Sequence, residues 1–316
     1  MNADDAHYSL VAELLGNGDV VPFLGAGANL CDRPATASFE VGRFAPSGFE
    51  LAGTLAKRSR YPDPNLDLLR VSQYVDAILG AKRLYSYLHS VFDANYPPTS
   101  LHRLFARLPA LLHKRDRPQL LLLTTNYDDL VERALAAAGV PFDVVWYEAK
   151  RGPSQGRFLH RLPEGDVVPI LRPNKYARLA PEERTVVLKL HGAIDRADAD
   201  GDSYVITEDS YIDYMVGGDV GEQIPASVRA RMADSHFLFL GYSMRDWNLR
   251  VILKRMWQEE QLDLKSWAVQ RAPTGVGARK VEEALWRDRG NIDLFYVPLR
   301  RYVARLKREL FGPGSA

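Results

Sequence analysis

The apolar positions of this chain fall into two kinds of run. Short unbroken runs occur at Val20 to Leu24, Gln119 to Thr124, Asp143 to Tyr147, Thr185 to Leu190, His236 to Leu240, Ser266 to Gln270 and Ile292 to Val297. Such runs are what strands show when both faces of a sheet are covered. Between them lie longer stretches with apolar residues three and four apart, the helical period. These are residues 8 to 16, most of 51 to 112, Asp129 to Ala138, and a C-terminal stretch with Leu299, Val303, Leu306 and Leu310 on one face. Breakers mark the boundaries. Gly16, Asn17 and Gly18 stop the first helix, and Pro62, Pro64, Pro97 and Pro98 interrupt the 51–112 stretch. Gly139 and Pro141 close the helix at Asp129, where Asp129 and Glu132 read as a capping box. Lys150 to Glu183, rich in Gly, Pro and Arg, reads as an irregular connection or a hairpin.

Strands alternating with helices predict parallel βαβ units, hence an α/β fold with a Rossmann-like parallel sheet. We expect one domain over 1–316, with a helical insertion at 45–115 and a C-terminal strand and helix at 275–316. Ligands of such sheets sit in the crevice beyond the carboxyl ends of the strands, so the residues at those ends carry the functional question.

Composition removes several classes of function. At 316 residues and 46% hydrophobic the chain supports a sizeable core. Lys and Arg total 41 against 40 Asp and Glu, so no overall positive field draws in nucleic acid or an anionic membrane. The basic stretches at 279–289 and 300–308 read as solvated helix faces. Cys31 is the only cysteine, which rules out an internal disulfide framework and a four-cysteine zinc module and suggests a reducing compartment. The acidic start without an apolar leader, and the lack of any run of about 18 apolar residues, lead us to expect a cytoplasmic protein that neither spans nor crosses a membrane.

Four strand ends carry candidate chemistry. The first is Gly25-Ala26-Gly27-Ala28-Asn29, where glycines let the backbone approach a pyrophosphate at a helix start, or serve packing alone. Leu30 stands where the dehydrogenase fingerprint needs a third glycine, so hydride transfer is not supported. The second is Thr124-Thr125-Asn126-Tyr127-Asp128. Here Asn126 can hold a ribose hydroxyl or orient a water; alternatively Asn126 and Asp128 only shape the turn and cap the helix. The third, Lys189-Leu190-His191-Gly192, delivers an imidazole suited to general-base work, with a glycine leaving space beside it. The other histidines, His160 and His236 among them, read as structural. The fourth is Gly241-Tyr242-Ser243, where Ser243 either caps the next helix with Asp246 or meets a phosphate or ribose.

In this order the four segments resemble the SIR2 family. GAGAN is similar to the sirtuin GAGxS turn, TTNYD to TQNxD, KLHG to the strand ending in the catalytic His-Gly, and GYS to a later ribose-contacting turn. Pro98 to His102 resembles the PNxxH segment before the TQN strand. Protein-deacylating sirtuins carry a four-cysteine zinc module after the HG strand, and Asp195 to Ala233 lacks it. With Tyr204 to Tyr211 and the GYSMRDWNLR stretch, that segment looks instead like the SIR2-like branch of bacterial defence proteins.

The resemblance implies NAD as a substrate, no metal, and hydrolysis to nicotinamide and ADP-ribose, depleting cellular NAD in antiphage defence. It casts Asn126, His191 and Asp128 as catalytic, and Gly25, Ala26, Gly27, Asn29, Thr125, Gly241 and Ser243 as NAD-binding. It also implies a homo-oligomer, or a partner such as a HerA-like ATPase or an Argonaute. Two alternatives stay open: an NAD-dependent protein deacylase, against which the missing zinc module argues, and a non-catalytic NAD or ADP-ribose binding module.

Overall fold

The structure, a computed structural model, describes residues 3–217, 220–244, 247–257, 262–273, 275–288 and 290–314. Eleven strands run in chain order as β1 (Val20–Leu24), β2 (Leu121–Thr124), β3 (Phe142–Tyr147), β4 (Phe158–Arg161), β5 (Val167–Pro169), β6 (Thr185–Lys189), β7 (Gly192–Ala193), β8 (Ser203–Tyr204), β9 (His236–Leu240), β10 (Ser266–Gln270) and β11 (Ile292–Tyr296). Nine form one sheet in the order β11-β10-β9-β1-β2-β6-β3-β4-β5. From β11 to β3 every neighbouring pair is parallel. The Lys150 to Glu183 stretch supplies β4 and β5 as an antiparallel edge. The expected Rossmann-like sheet is therefore present, extended by a hairpin. β7 and β8 make a separate two-stranded ribbon.

Twelve α-helices lie among the described residues: α1 (Ala3–Asn17), α2 (Gly48–Ser59), α3 (Leu68–Leu79), α4 (Ala81–Phe92), α5 (Ser100–Lys114), α6 (Leu130–Ala137), α7 (Glu208–Val216), α8 (Val220–Gln223), α9 (Ala226–Ala233), α10 (Trp247–Trp257), α11 (Val276–Glu283) and α12 (Leu299–Phe311). The unbroken apolar runs have their cause in this layering. Along β1, Val21 and Phe23 enter the core shared with α7 to α10, while Val20 and Leu24 enter the core shared with α1, α5, α6 and α12. Alternate residues of one strand thus fill opposite layers, and neither face tolerates a polar residue.

Within 45–115, α2, α3 and α4 build a core of their own, closed by Ile194, Tyr204 and Ile206. The last helix of that stretch, α5, behaves differently: Leu101, Leu104, Phe105, Leu108 and Leu112 pack under the sheet. The GAGAN segment runs into a short 3-10 turn, Ala26–Leu30, and the next α-helix begins only at Gly48.

The capping box at Asp129 and Glu132 does not form. Asp129 makes no side-chain cap; its carboxylate is held by Arg196 at 2.6 Å. Glu132 turns inward to Lys189, 2.8 Å away, because that lysine is only 1% exposed and needs a counter-charge. Asp128 caps instead, its Oδ1 accepting from the Leu130 amide at 3.2 Å.

Candidate active site

The chain leaves β1 for β2, β3 and β6 on one side and returns for β9, β10 and β11 on the other, so strand order reverses between β1 and β9. Crevices for ligands open at such a switch point. The turns after these two strands lie in backbone contact. Gly25 donates its amide to the Leu240 carbonyl and Gly27 donates to the Gly241 carbonyl, both at 2.9 Å. A Cβ on Gly241, at φ +79°, would stand 2.3 Å from the Ala28 nitrogen, and one on Gly27 would stand 2.7 Å from the Gly241 oxygen. These glycines are thus needed for packing whatever else they do. The amides of Gly25, Gly27 and Ala28 are all spent inside the protein. What the turn presents to a ligand is its outer edge at exposed Ala26 and half-buried Asn29.

One strand further, β2 ends at Thr124 beside Leu24. The Thr124 hydroxyl donates to the Leu24 carbonyl at 2.9 Å and accepts the Asn126 amide at 3.0 Å, a turn that sets Asn126 back over the first glycine. Its Nδ2 donates to the Gly25 carbonyl at 3.2 Å and to Asn29 Oδ1 at 3.5 Å. Asn29 in turn donates from Nδ2 to Asp128 Oδ2 at 2.6 Å. Asn126, Asn29 and Asp128 therefore form one chain of side chains across two strand ends, with Asn126 and Asp128 buried. Asp128 caps α6, one of the readings weighed from sequence, and also holds Asn29. Half-buried Thr125 shares a hydrogen bond of 2.8 Å with the Tyr242 hydroxyl, which ties the TTN segment to the GYS segment.

β6 lies beside β2 with Lys189 opposite Thr124, and the Leu190 amide donates to the Thr124 carbonyl at 2.9 Å, so His191 follows the end of the strand next to the one that leads to Asn126. His191 is buried, with the rings of Tyr211 and Tyr214 edge-on at 5.6 and 5.4 Å. Its Nε2 has no hydrogen-bond partner among the described residues. Loss of solvent drives its pKa down to about 3, so the ring is neutral at neutral pH. The space beside it is not open: Gly192, at φ +94°, is met by the Ser203 backbone of β8, and a Cβ there would stand 2.1 Å from the Ser203 oxygen.

His102, from the PNxxH-like segment, lies beneath this site. Its Nδ1 accepts the Thr99 amide at 3.0 Å, Nε2 is buried without a partner, and burial lowers its pKa to about 4 against the opposing pull of Asp128. Ser243 is exposed, and Asp246 lies outside the described residues.

His160 is a structural histidine, buried between Asp143 at 3.0 Å and the Tyr176 hydroxyl at 2.7 Å; His236 bonds the Lys265 carbonyl and stacks on Trp267. Sequence reading missed the tyrosine cage of His191. Tyr211 and Tyr214, three apart on one helix face, were its only signal.

A doubly wound sheet with polar residues following the ends of β1, β2, β6 and β9 defines a Rossmann-like class of α/β protein. Comparison with known proteins narrows this: the profile of the SIR2-like domain matches residues 120–293, and the chain belongs to that family. It is 26% identical over 190 residues to the NAD(+) hydrolase ThsA of Cytobacillus dafuensis, covering 60% of this chain and 30% of that protein. It is 29% identical over 192 residues to the Enterococcus faecium protein of the same name, covering 59% and 31%. Defense-associated sirtuin 2 of Bacillus subtilis matches at 24% over 247 residues, 77% of this chain and 20% of its own length. The chain thus spans about a third or less of the length of these relatives.

Proposed function

We propose that this domain hydrolyses NAD to nicotinamide and ADP-ribose, in the service of antiphage defence. The carrying observation is that Asn126 and His191 each follow the ends of adjacent parallel strands, β2 and β6, next to the β1–β9 switch point, each with hydrogen-bonding capacity to spare. Similarity to proteins named NAD(+) hydrolase and defense-associated sirtuin supports the reading.

The C–N bond between nicotinamide and ribose breaks through an oxocarbenium-like state. Nicotinamide leaves with the bonding pair, and water adds its oxygen to the ribose carbon and releases a proton. Asn126 spends Nδ2 on Gly25 and keeps Oδ1 as an acceptor for a ribose hydroxyl or the attacking water. A neutral His191 adds no positive charge beside the developing cation, and a ribose hydroxyl gives its Nε2 the partner it lacks. Asp128, pinned by Asn29 and the Leu130 amide, supports Asn126 through the Asn29 side chain between them. Ala26, Asn29, Thr125, Gly241 and Ser243 line the route for the rest of NAD. Turnover in ¹⁸O-labelled water tests the acceptor: one labelled oxygen in ADP-ribose and equimolar nicotinamide are expected, whereas unlabelled product or an acyl-ADP-ribose would move the assignment to group transfer.

A further inference from the structure

Lys189 is the only lysine or arginine buried among the described residues, 1% exposed, and it stands two residues before His191. Its place on β6 suits an apolar side chain. Val187, on the same face of the strand, enters the core that holds Val131, Ala134 and Leu135 of α6. A methionine would fill that layer without loss of hydration, whereas a buried ammonium gives up hydration that its attraction to Glu132 restores only in part. The ion pair by itself is therefore a poor reason for a lysine here.

What an apolar residue cannot do is donate. The Lys189 Nζ donates to the Asp128 carbonyl as well as to Glu132 Oε1, the second at 2.8 Å. That carbonyl lies outside α6, whose N-cap is Asp129 and whose Arg133 amide bonds the Asp129 carbonyl. Two lines of contact then run from one side chain to the candidate site. Along the first, Asp128 Oδ2 accepts from Asn29 at 2.6 Å, and Asn29 Oδ1 accepts from Asn126 Nδ2 at 3.5 Å. Along the second, Lys189 pairs with Thr124 of β2, the Leu190 amide bonds the Thr124 carbonyl, and His191 follows. The turn that carries Asn126 is thus held at its start by the Thr125 amide on the Leu24 carbonyl, and at its end by Lys189.

We infer that Lys189 is a positioning residue, and that its bond to the Asp128 carbonyl, more than its pairing with Glu132, sets where Asn126 stands relative to the strand that delivers His191. The catalytic meaning of this placement rests on the hydrolase reading; the placement itself does not. Misplacing a reacting or orienting group by about 1 Å costs on the order of a hundredfold in rate.

Two variants separate the two bonds. Lys189→Met with Glu132→Leu removes both and leaves a filled, apolar layer. Glu132→Gln removes the charge partner and keeps the donor, since the lysine amine donates whether charged or neutral. We expect kcat for nicotinamide release to fall about tenfold or more in the double variant, with KM for NAD within about threefold, and kcat to stay within about threefold in Glu132→Gln despite a lower unfolding midpoint. A purely structural pair gives the opposite order, with kcat low in Glu132→Gln and restored in the double variant. The Asn126 side-chain amide signals, assigned by their loss in Asn126→Asp, read the placement without turnover: they should move in the double variant and hold in Glu132→Gln. Wild-type kcat in the double variant, or Asn126 signals unmoved there, overturns the proposal. If the wild type releases no nicotinamide the hydrolase reading fails, and the amide signals still decide the role of Lys189. Should the double variant not fold, Lys189→Leu with Glu132→Met, which redistributes the same volume, takes its place.

Discussion

At His191 the deciding quantity is desolvation. The imidazole is buried among aromatic rings, and loss of solvent takes its pKa down to about 3. The profile of kcat/KM reports groups of the free enzyme. Its acid limb for NAD cleavage should therefore lie well below 6.5, and a limb near 6.5 assigned to His191 by its loss in His191→Gln would contradict the neutral-imidazole role. Gly241 is decided by space. Adding a methyl at φ +79°, against the Ala28 nitrogen, should cost about 2 kcal/mol or more in Gly241→Ala, read by urea unfolding. An unchanged midpoint would mean that the two turns can part freely.

Among elements, β6 and α6 are joined by a buried ion pair. Lys189 reaches Glu132 at 2.8 Å and also bonds the Asp128 carbonyl, so the strand that delivers His191 is tied to the helix that follows Asn126. Removing one partner strands a buried charge, at a cost of about 3–5 kcal/mol. Lys189→Met should therefore destabilise by that order, and Lys189→Met with Glu132→Leu should recover much of it. A double variant no better than the single one would show that the Asp128 carbonyl bond, not the pair, is decisive.

This pair also marks the limit of what the sequence discloses. The strands β9 and β10 are legible to the residue, because an unbroken apolar run has one explanation in a covered sheet. Asn126, His191 and the glycine turns were likewise visible as polar breaks at strand ends. Glu132 was not, since its partner lies 57 residues away and a local capping box looked equally good. The tyrosine cage and the spent amides of the glycine turn were hidden for the same reason: each depends on which elements become neighbours.

For the whole molecule, two buried histidines shape stability. Folding lowers the pKa of His191 to about 3 and of His102 to about 4, below the ordinary value of 6.5. Between those values the unfolded chain binds more protons, so the stability they contribute is full above about 6.5 and is lost as pH falls. Urea unfolding should show a slope of up to about 1.4 kcal/mol per pH unit per histidine in that window, flatter in His191→Phe. An unchanged slope would place the ring in water. The site itself exists only at this scale, since Asn29, Asn126, His191 and Gly241 come from four strand ends spread over more than two hundred residues.

The most direct test incubates wild type, Asn126→Ala and His191→Ala with NAD and follows nicotinamide by chromatography. The account predicts release by the wild type and a loss of at least about a hundredfold in each variant, with NAD binding and the unfolding transition retained. Release at wild-type rates from either variant would contradict it.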